Sequence, residues 1–214
     1  MQVTRILAIR HGETAWNVGG RLQGHLDIPL NDTGRLQAER LARSLAEREP
    51  VDAIYTSDLS RALATAQALA HATGAPLTPR PGLRERCFGD FQGQTFEQIS
   101  QARPDAAERW RRRVPEWAPP GGESLLVFQE RIAQELQALA AENTGNLIAI
   151  VTHGGVLDVL YRAAARLGLQ DARTWELTNT AVNRLLWSPD GGLSLVGWAD
   201  VSHLEETSLD ESTT

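Results

Sequence analysis

Lysine is absent from all 214 residues; the 21 basic side chains are all arginine, so lysine-dependent chemistry is excluded. A single cysteine, Cys87, cannot form an internal disulfide, which suits a reducing compartment. No window approaches the roughly 20 apolar residues of a membrane span. The opening MQVTRILAIRHGETA sets Arg5 and Arg10 within its apolar stretch, so it does not read as a signal-peptide core. A soluble, cytoplasmic protein with no membrane partner is expected. Charge of one sign is also scarce. Four of the 27 acids (Glu205, Glu206, Asp210, Glu211) fall in the last ten residues, leaving residues 1–204 with 23 acids against 21 arginines. That near balance gives no field for nucleic acid. Residues 205–214 read as an acidic, mobile tail.

What is present is globular: 42% apolar and 22% charged residues, with 18 glycines and 10 prolines. There is no internal repeat and no linker that would split the chain, so residues 1–204 are expected to form one domain. VTRILAI (3–9), VDAIYTS (51–57) and NLIAIVT (146–152) are short β-branched and aliphatic runs that predict buried strands. Helices are predicted between them. TGRLQAERLARSLAER repeats apolar Leu36, Leu41 and Leu45 behind an N-cap at Asp32 or Thr33. SRALATAQALAHAT is stopped by Gly74, and residues 123–142 and VLDVLYRAAARLG complete the set. AVNRLLW and LSLVGW flank SPDGG, a hairpin at a sheet edge that could pair between subunits of a homodimer. The Pro-rich stretch 76–122 reads as an excursion, with a small lid at about 84–122. The alternation predicts an α/β fold, a three-layer sandwich with a mostly parallel central sheet.

His11 follows one predicted strand and His153 another, on the sheet edge where open parallel sheets bind ligands. Gly12, Gly154 and Gly155 let the backbone approach a ligand there. Arg10 precedes His11, and Arg61 begins the helix after the second strand. Two guanidinium groups and two imidazoles at one edge suit a dianionic phosphoryl group. His25, His71 and His203 form no ligand-spaced cluster with carboxylates or cysteine, so no metal is expected. His25, in the mouth loop, reads as a plain loop residue that could touch substrate. Arg109–Arg113 reads as a solvated helix face, or as a segment that hangs one arginine over the pocket to meet a carboxylate or second phosphate.

Arg10-His11-Gly12-Glu13-Thr14, Trp16-Asn17 and Gln23-Gly24, followed by DIPLNDTG (27–34), SDLSRALATA (57–66), LRERCFGDFQG (83–93), PGGES (120–124) and VTHGG (151–155), together resemble the signature of the histidine phosphatase superfamily, phosphoglycerate-mutase-like branch. The resemblance spans about residues 3–160. It implies that His11 is the nucleophile that becomes phosphohistidine, and that Arg10, Arg61 and His153 clamp the phosphoryl oxygens. It implies Asn17 as a further phosphate donor, Gln23 and Gly24 at the pocket mouth beside Gly154, and Glu85 as the acid that protonates the leaving alkoxide.

Mutases of this kind are longer after the Glu motif and carry Lys and Tyr there. The stretch between Glu85 and PGGES has neither residue type. A more open pocket favours hydrolysis. The expected activity is therefore metal- and cofactor-independent hydrolysis of a small anionic phosphate ester. The alternatives are a phosphoglycerate mutase, which would need a 2,3-bisphosphoglycerate primer, and a catalytically silent phospho-ligand-binding module.

Overall fold

The computed structural model describes residues 3–205; the acidic tail from Glu206 onward lies outside them. Six strands form one sheet in the order β3-β2-β4-β1-β5-β6. At its centre β1 (Thr4–Arg10) and β4 (Leu147–Thr152) run parallel, with Arg10 opposite Thr152. β2 (Ala53–Thr56) pairs in parallel with β4, and the short β3 (Leu77–Pro79) with β2. β5 (Val182–Ser188) is antiparallel to β1 and turns back into β6 (Gly192–Asp200), the expected edge hairpin.

The continuous apolar runs are explained by burial on both faces. Ile6, Ala8, Ile148 and Ile150 face α6 (Leu125–Glu142) and α7 (Gly154–Ala165). The intervening Leu7, Ile9, Ala149 and Val151 face α2 (Asp32–Arg48) and α3 (Ser60–Thr73). Helix, sheet and helix therefore make three layers. Among the described residues no helix is long and apolar enough to cross a membrane.

Three local expectations are corrected. The cap of α2 is Asn31, whose side chain accepts the Gly34 N–H; Asp32 and Thr33 lie inside the helix. Leu36 is exposed, and Ala38, Leu41, Ala42 and Leu45 make the inner stripe. β3 replaces the start of the Pro-rich excursion, since a sheet edge tolerates Pro79. The remaining excursion holds α4 (Phe96–Ala102) and α5 (Pro104–Arg111). It has a small core of its own in Phe91, Ile99 and Ala107, against which Trp110 and Trp117 pack. A one-turn helix, α1 (Ala15–Val18), follows the first strand and is closed by a Thr14–Asn17 capping box.

Gly34 explains how α2 seats the loop after β1. A Cβ at Gly34 would stand 2.1 Å from the Glu13 carbonyl oxygen, and one at Gly12 would stand 2.4 Å from the Gly34 oxygen. The two backbones thus touch where no side chain fits. Gly34→Ala should cost about 1–3 kcal/mol, read as a lower urea midpoint at unchanged slope; an unaltered midpoint would show that the loop yields freely.

Candidate active site

Three adjacent parallel strands deliver the site. β1 ends at Arg10 and releases His11; β4 ends at Thr152 and releases His153; β2 leads into α3, whose second residue is Arg61. Because Arg10 and Thr152 are in register, the two imidazoles leave the sheet at one level, with ring centroids 5.2 Å apart. The loop carrying His11 is pinned on all sides. Its N–H donates to the Thr152 oxygen at 2.9 Å, its carbonyl accepts from Asn179 at 2.8 Å, and the Gly12 N–H donates to Thr65 Oγ1 at 3.0 Å.

His11 Nδ1 lies 2.6 Å from the Gly12 carbonyl oxygen. A carbonyl only accepts, so Nδ1 carries the proton and Nε2 keeps its lone pair. Burial, then the positive charges of Arg10 and Arg61, hold His11 well below the usual imidazole range. His153 is held low by burial first, then by Arg61, His11 and Arg10. Burial brings the Arg61 guanidinium down to about 10, so it stays charged at neutral pH.

Arg61 donates its two terminal nitrogens to the Leu26 and Gly24 carbonyls, at 2.9 and 2.8 Å, and Arg10 donates one to the Leu177 carbonyl. The Nε atoms of both arginines, and both ring nitrogens of His153, are buried without a partner. Buried polar groups are rarely left so. The two arginine Nε–H groups and whichever ring nitrogen of the neutral His153 carries the proton are three donors suited to a tetrahedral oxyanion.

Glu85 stands at the N-terminus of α7. Its Oε1 accepts from the Arg86 N–H at 2.7 Å and its Oε2 from the Gly155 N–H at 3.0 Å. The glycine that this demands is Gly155, where a Cβ would lie 2.2 Å from Oε1; at Gly154 a Cβ would make only ordinary contact with Arg10. A cleft of about 760 Å3 opens beside Arg10, Glu85 and Gly154. It has the size of a small-molecule site. His11, Arg61 and His153 are buried and off its wall; of the other expected residues, Gln23 and Gly24 are buried and Asn17 half-buried, and all three lie off it too.

The other expected site residues are structural neighbours of this core. Asn17 spends its Oδ1 on the capping box with Thr14, leaving its amide NH2 for a ligand. Gln23 is buried with an unpartnered Oε1, and Gly24 has φ +54 and offers its carbonyl to Arg61. His25 is off the cleft wall too; its Nε2 donates to the Glu85 carbonyl at 2.8 Å. The basic cluster divides: Arg111 pairs with Glu108 at 2.9 Å, while Arg113 crosses the cleft to Asp158 at 2.7 Å.

Sequence reading missed Arg131. Its guanidinium binds the carbonyls of Gly82, Arg84 and Glu85 and pairs with Glu123, the Glu of PGGES, at 2.8 Å.

Comparison with known proteins follows the same lines. The profile of the histidine phosphatase superfamily (branch 1) matches residues 6–201. The chain is 41% identical over 211 residues to phosphoglycerate mutase-like protein 4 of Arabidopsis thaliana, covering 97% of this chain and 90% of that protein. It is 35% identical over 205 residues to a metal-independent phosphoserine phosphatase of the same plant, covering 95% and 84%. Among solved structures, Bacillus stearothermophilus YhfR superposes with a TM-score of 0.86 at 34% identity, over 94% of this chain and 100% of that one.

The depressed histidines make stability pH-dependent. Each binds its proton less readily folded than unfolded, so below about pH 6.5 the unfolded chain holds more protons and stability falls as pH falls. His203, also lowered by burial, acts with the same sign. The melting temperature should therefore drop between pH 7.5 and 5.5, above the range where carboxylates titrate. His153→Ala should flatten that slope. A flat wild-type profile would mean that the imidazoles are not held neutral.

Proposed function

Since the chain belongs to the histidine phosphatase superfamily, we propose that His11 carries the phosphoryl group and that Arg10, Arg61, His153 and Asn17 hold its oxygens. The protein is a phosphomonoester hydrolase of small phosphorylated metabolites. The observation that carries the site assignment is that the Nε–H groups of Arg10 and Arg61 and the ring of His153, 5.2 Å from that of His11, are buried without partners, while the His11 Nδ1 hydrogen bond leaves its Nε2 unprotonated.

The steps balance as follows. His11 Nε2 attacks phosphorus in line with the ester oxygen. The P–O bond breaks as Glu85 gives its proton to the departing alkoxide, leaving phosphohistidine and a carboxylate. Glu85 then takes a proton from water as its oxygen attacks phosphorus, and inorganic phosphate leaves with the His11 lone pair restored. A depressed imidazole pKa keeps the nucleophile unprotonated at neutral pH and below. The fixed guanidinium charges stabilise the transferring group without reorganising, which is where most of the acceleration in phosphoryl transfer arises. The chemistry as drawn assigns no step to a metal ion, in keeping with the metal-independent relative.

Hydrolysis is preferred to mutase action because residues 84–122, which form the excursion, contain no Lys or Tyr to hold a phosphoglycerate carboxylate and shield the phosphohistidine from water. Phosphate release should be measured across a panel of phosphomonoesters without added metal, with 3-phosphoglycerate isomerisation followed in parallel. His11→Ala should reduce turnover by about 10³-fold or more. Isomerisation with negligible release would replace hydrolase by mutase.

Glu85→Gln should slow alkyl esters by about 10²–10⁴-fold and aryl esters such as p-nitrophenyl phosphate far less, since a nitrophenolate needs no proton to leave. Equal losses on both ester types would remove Glu85 from the acid role.

A further inference from the structure

One peptide unit in the loop after β1 orients the His11 imidazole, and Gln37 of α2 holds that unit. The unit joins Gly12 to Glu13. Its carbonyl oxygen lies 2.6 Å from His11 Nδ1, the contact that keeps the imidazole proton on Nδ1 and leaves Nε2 unprotonated. Its N–H points the opposite way, as the two ends of a planar trans peptide must, and donates to Gln37 Oε1 at 2.9 Å. Because the donor is an N–H, the Gln37 amide presents its oxygen here.

The approach of α2 sets this contact up. A Cβ on Gly34 would stand 2.1 Å from the Glu13 oxygen and 2.7 Å from the Glu13 nitrogen, so the first turn of the helix lies against the loop backbone itself. Gln37 is three residues on, which puts it on the same face one turn later. The Asn31 cap takes the rest of Glu13: its N–H donates to the Glu13 carbonyl at 3.0 Å and its Nδ2 to Glu13 Oε1 at 2.8 Å. The preceding unit, between His11 and Gly12, is held separately, with its N–H on Thr65 Oγ1 and its carbonyl on Asn179. Gly12 is the joint between the two units, and a glycine opposes backbone rotation less than any other residue. The orientation of the second unit therefore depends on what its two ends bind, an imidazole at one and Gln37 at the other.

We propose that Gln37 is a positioning residue for His11: by fixing the Gly12–Glu13 peptide it fixes the carbonyl that selects the Nδ1–H tautomer, and so keeps Nε2 available to attack phosphorus. This deepens the hydrolase reading above and rests on its assignment of His11. Which nitrogen of a neutral imidazole carries the proton is set by the hydrogen bonds the ring makes. When the peptide turns and its carbonyl leaves Nδ1, that nitrogen loses its acceptor and the proton passes to Nε2 with no change in net charge. The Nε2–H form has no lone pair there to offer phosphorus. Gln37 does not line the cleft, so its effect on the chemistry passes through the backbone.

Gln37 is half-buried, so its side chain can be exchanged within the helix. Gln37→Met and Gln37→Ala keep helix propensity and remove the strong acceptor. Each should lower kcat on p-nitrophenyl phosphate by about 10–10²-fold, with KM little changed. Gln37→Glu keeps an oxygen facing the N–H and should recover most of that loss. Ring-nitrogen NMR shifts of His11, assigned by their absence in His11→Ala, give a readout that general loosening would not move. In the ligand-free wild type Nδ1 should carry the proton; in Gln37→Met and Gln37→Ala a substantial share should pass to Nε2, and Gln37→Glu should return it. Thr65→Val, which frees the N–H of the preceding unit, should lower activity without moving the proton. Wild-type kcat in both truncations, an Nδ1 proton retained there, no return of that proton in Gln37→Glu, or the same tautomer change in Thr65→Val would each overturn the proposal. Failure of the hydrolase reading looks different: turnover would survive in His11→Ala or be absent from the wild type, while the tautomers stay readable in the free protein.

Discussion

The constraint on which this molecule depends is a pair of guanidinium charges, Arg10 and Arg61, buried beside two imidazoles at the end of a parallel sheet. Desolvation and mutual repulsion oppose that arrangement; the nearby Glu85 charge offsets it in part, but among the described residues no carboxylate forms an ion pair with either arginine. The fold supplies the restraint instead. Main-chain carbonyls of Gly24, Leu26 and Leu177 take the outer N–H groups, leaving the Nε atoms for an anion. The same geometry fits the role proposed for the two arginines, since an anion between them would offset the cost of burying both charges. Burial first, and then these charges, hold both imidazoles low, in keeping with the nucleophilic role proposed for His11.

Much of this was legible in the sequence because strand ends are legible. A β-branched run that stops at Arg-His-Gly or at Thr-His-Gly fixes where the histidines emerge, and parallel pairing places them side by side. The N-cap of α2 was misplaced because Asn31, Asp32 and Thr33 are all competent caps, and only the contact of Gly34 with Glu13 chooses among them. β3 escaped notice since three prolines within six residues mask a strand that needs only one side of its backbone paired. Arg131 escaped for a different reason. Its role is to gather carbonyl oxygens, which have no signature in side-chain spacing.

Glu85 shows how much backbone a single carboxylate can require. Its oxygens face the N–H groups of Arg86 and Gly155, while its own carbonyl is held by His25 and by Arg131. Glu123 completes the arrangement by pairing with Arg131 and accepting the Cys87 N–H. The PGGES segment thereby bears on where Glu85 stands. Placement of this kind matters because proton transfer depends on the carboxylate lying within hydrogen-bond reach of the departing oxygen.

The mouth loop ties these parts into one body. Arg61 grips it from α3 through Gly24 and Leu26, and between those two residues His25 reaches the Glu85 carbonyl and donates its own N–H to Gln92. The excursion that walls the cleft is thus anchored, through the mouth loop, to the arginine proposed to hold the phosphoryl group. Such a protein sorts its ligands as a gauge does, by admitting or refusing them at a preset aperture, rather than as a hand does, by closing around whatever arrives. The corollary is evolutionary. A lineage that changes what it accepts must re-cut the wall residue by residue, while the chemistry behind it stays untouched.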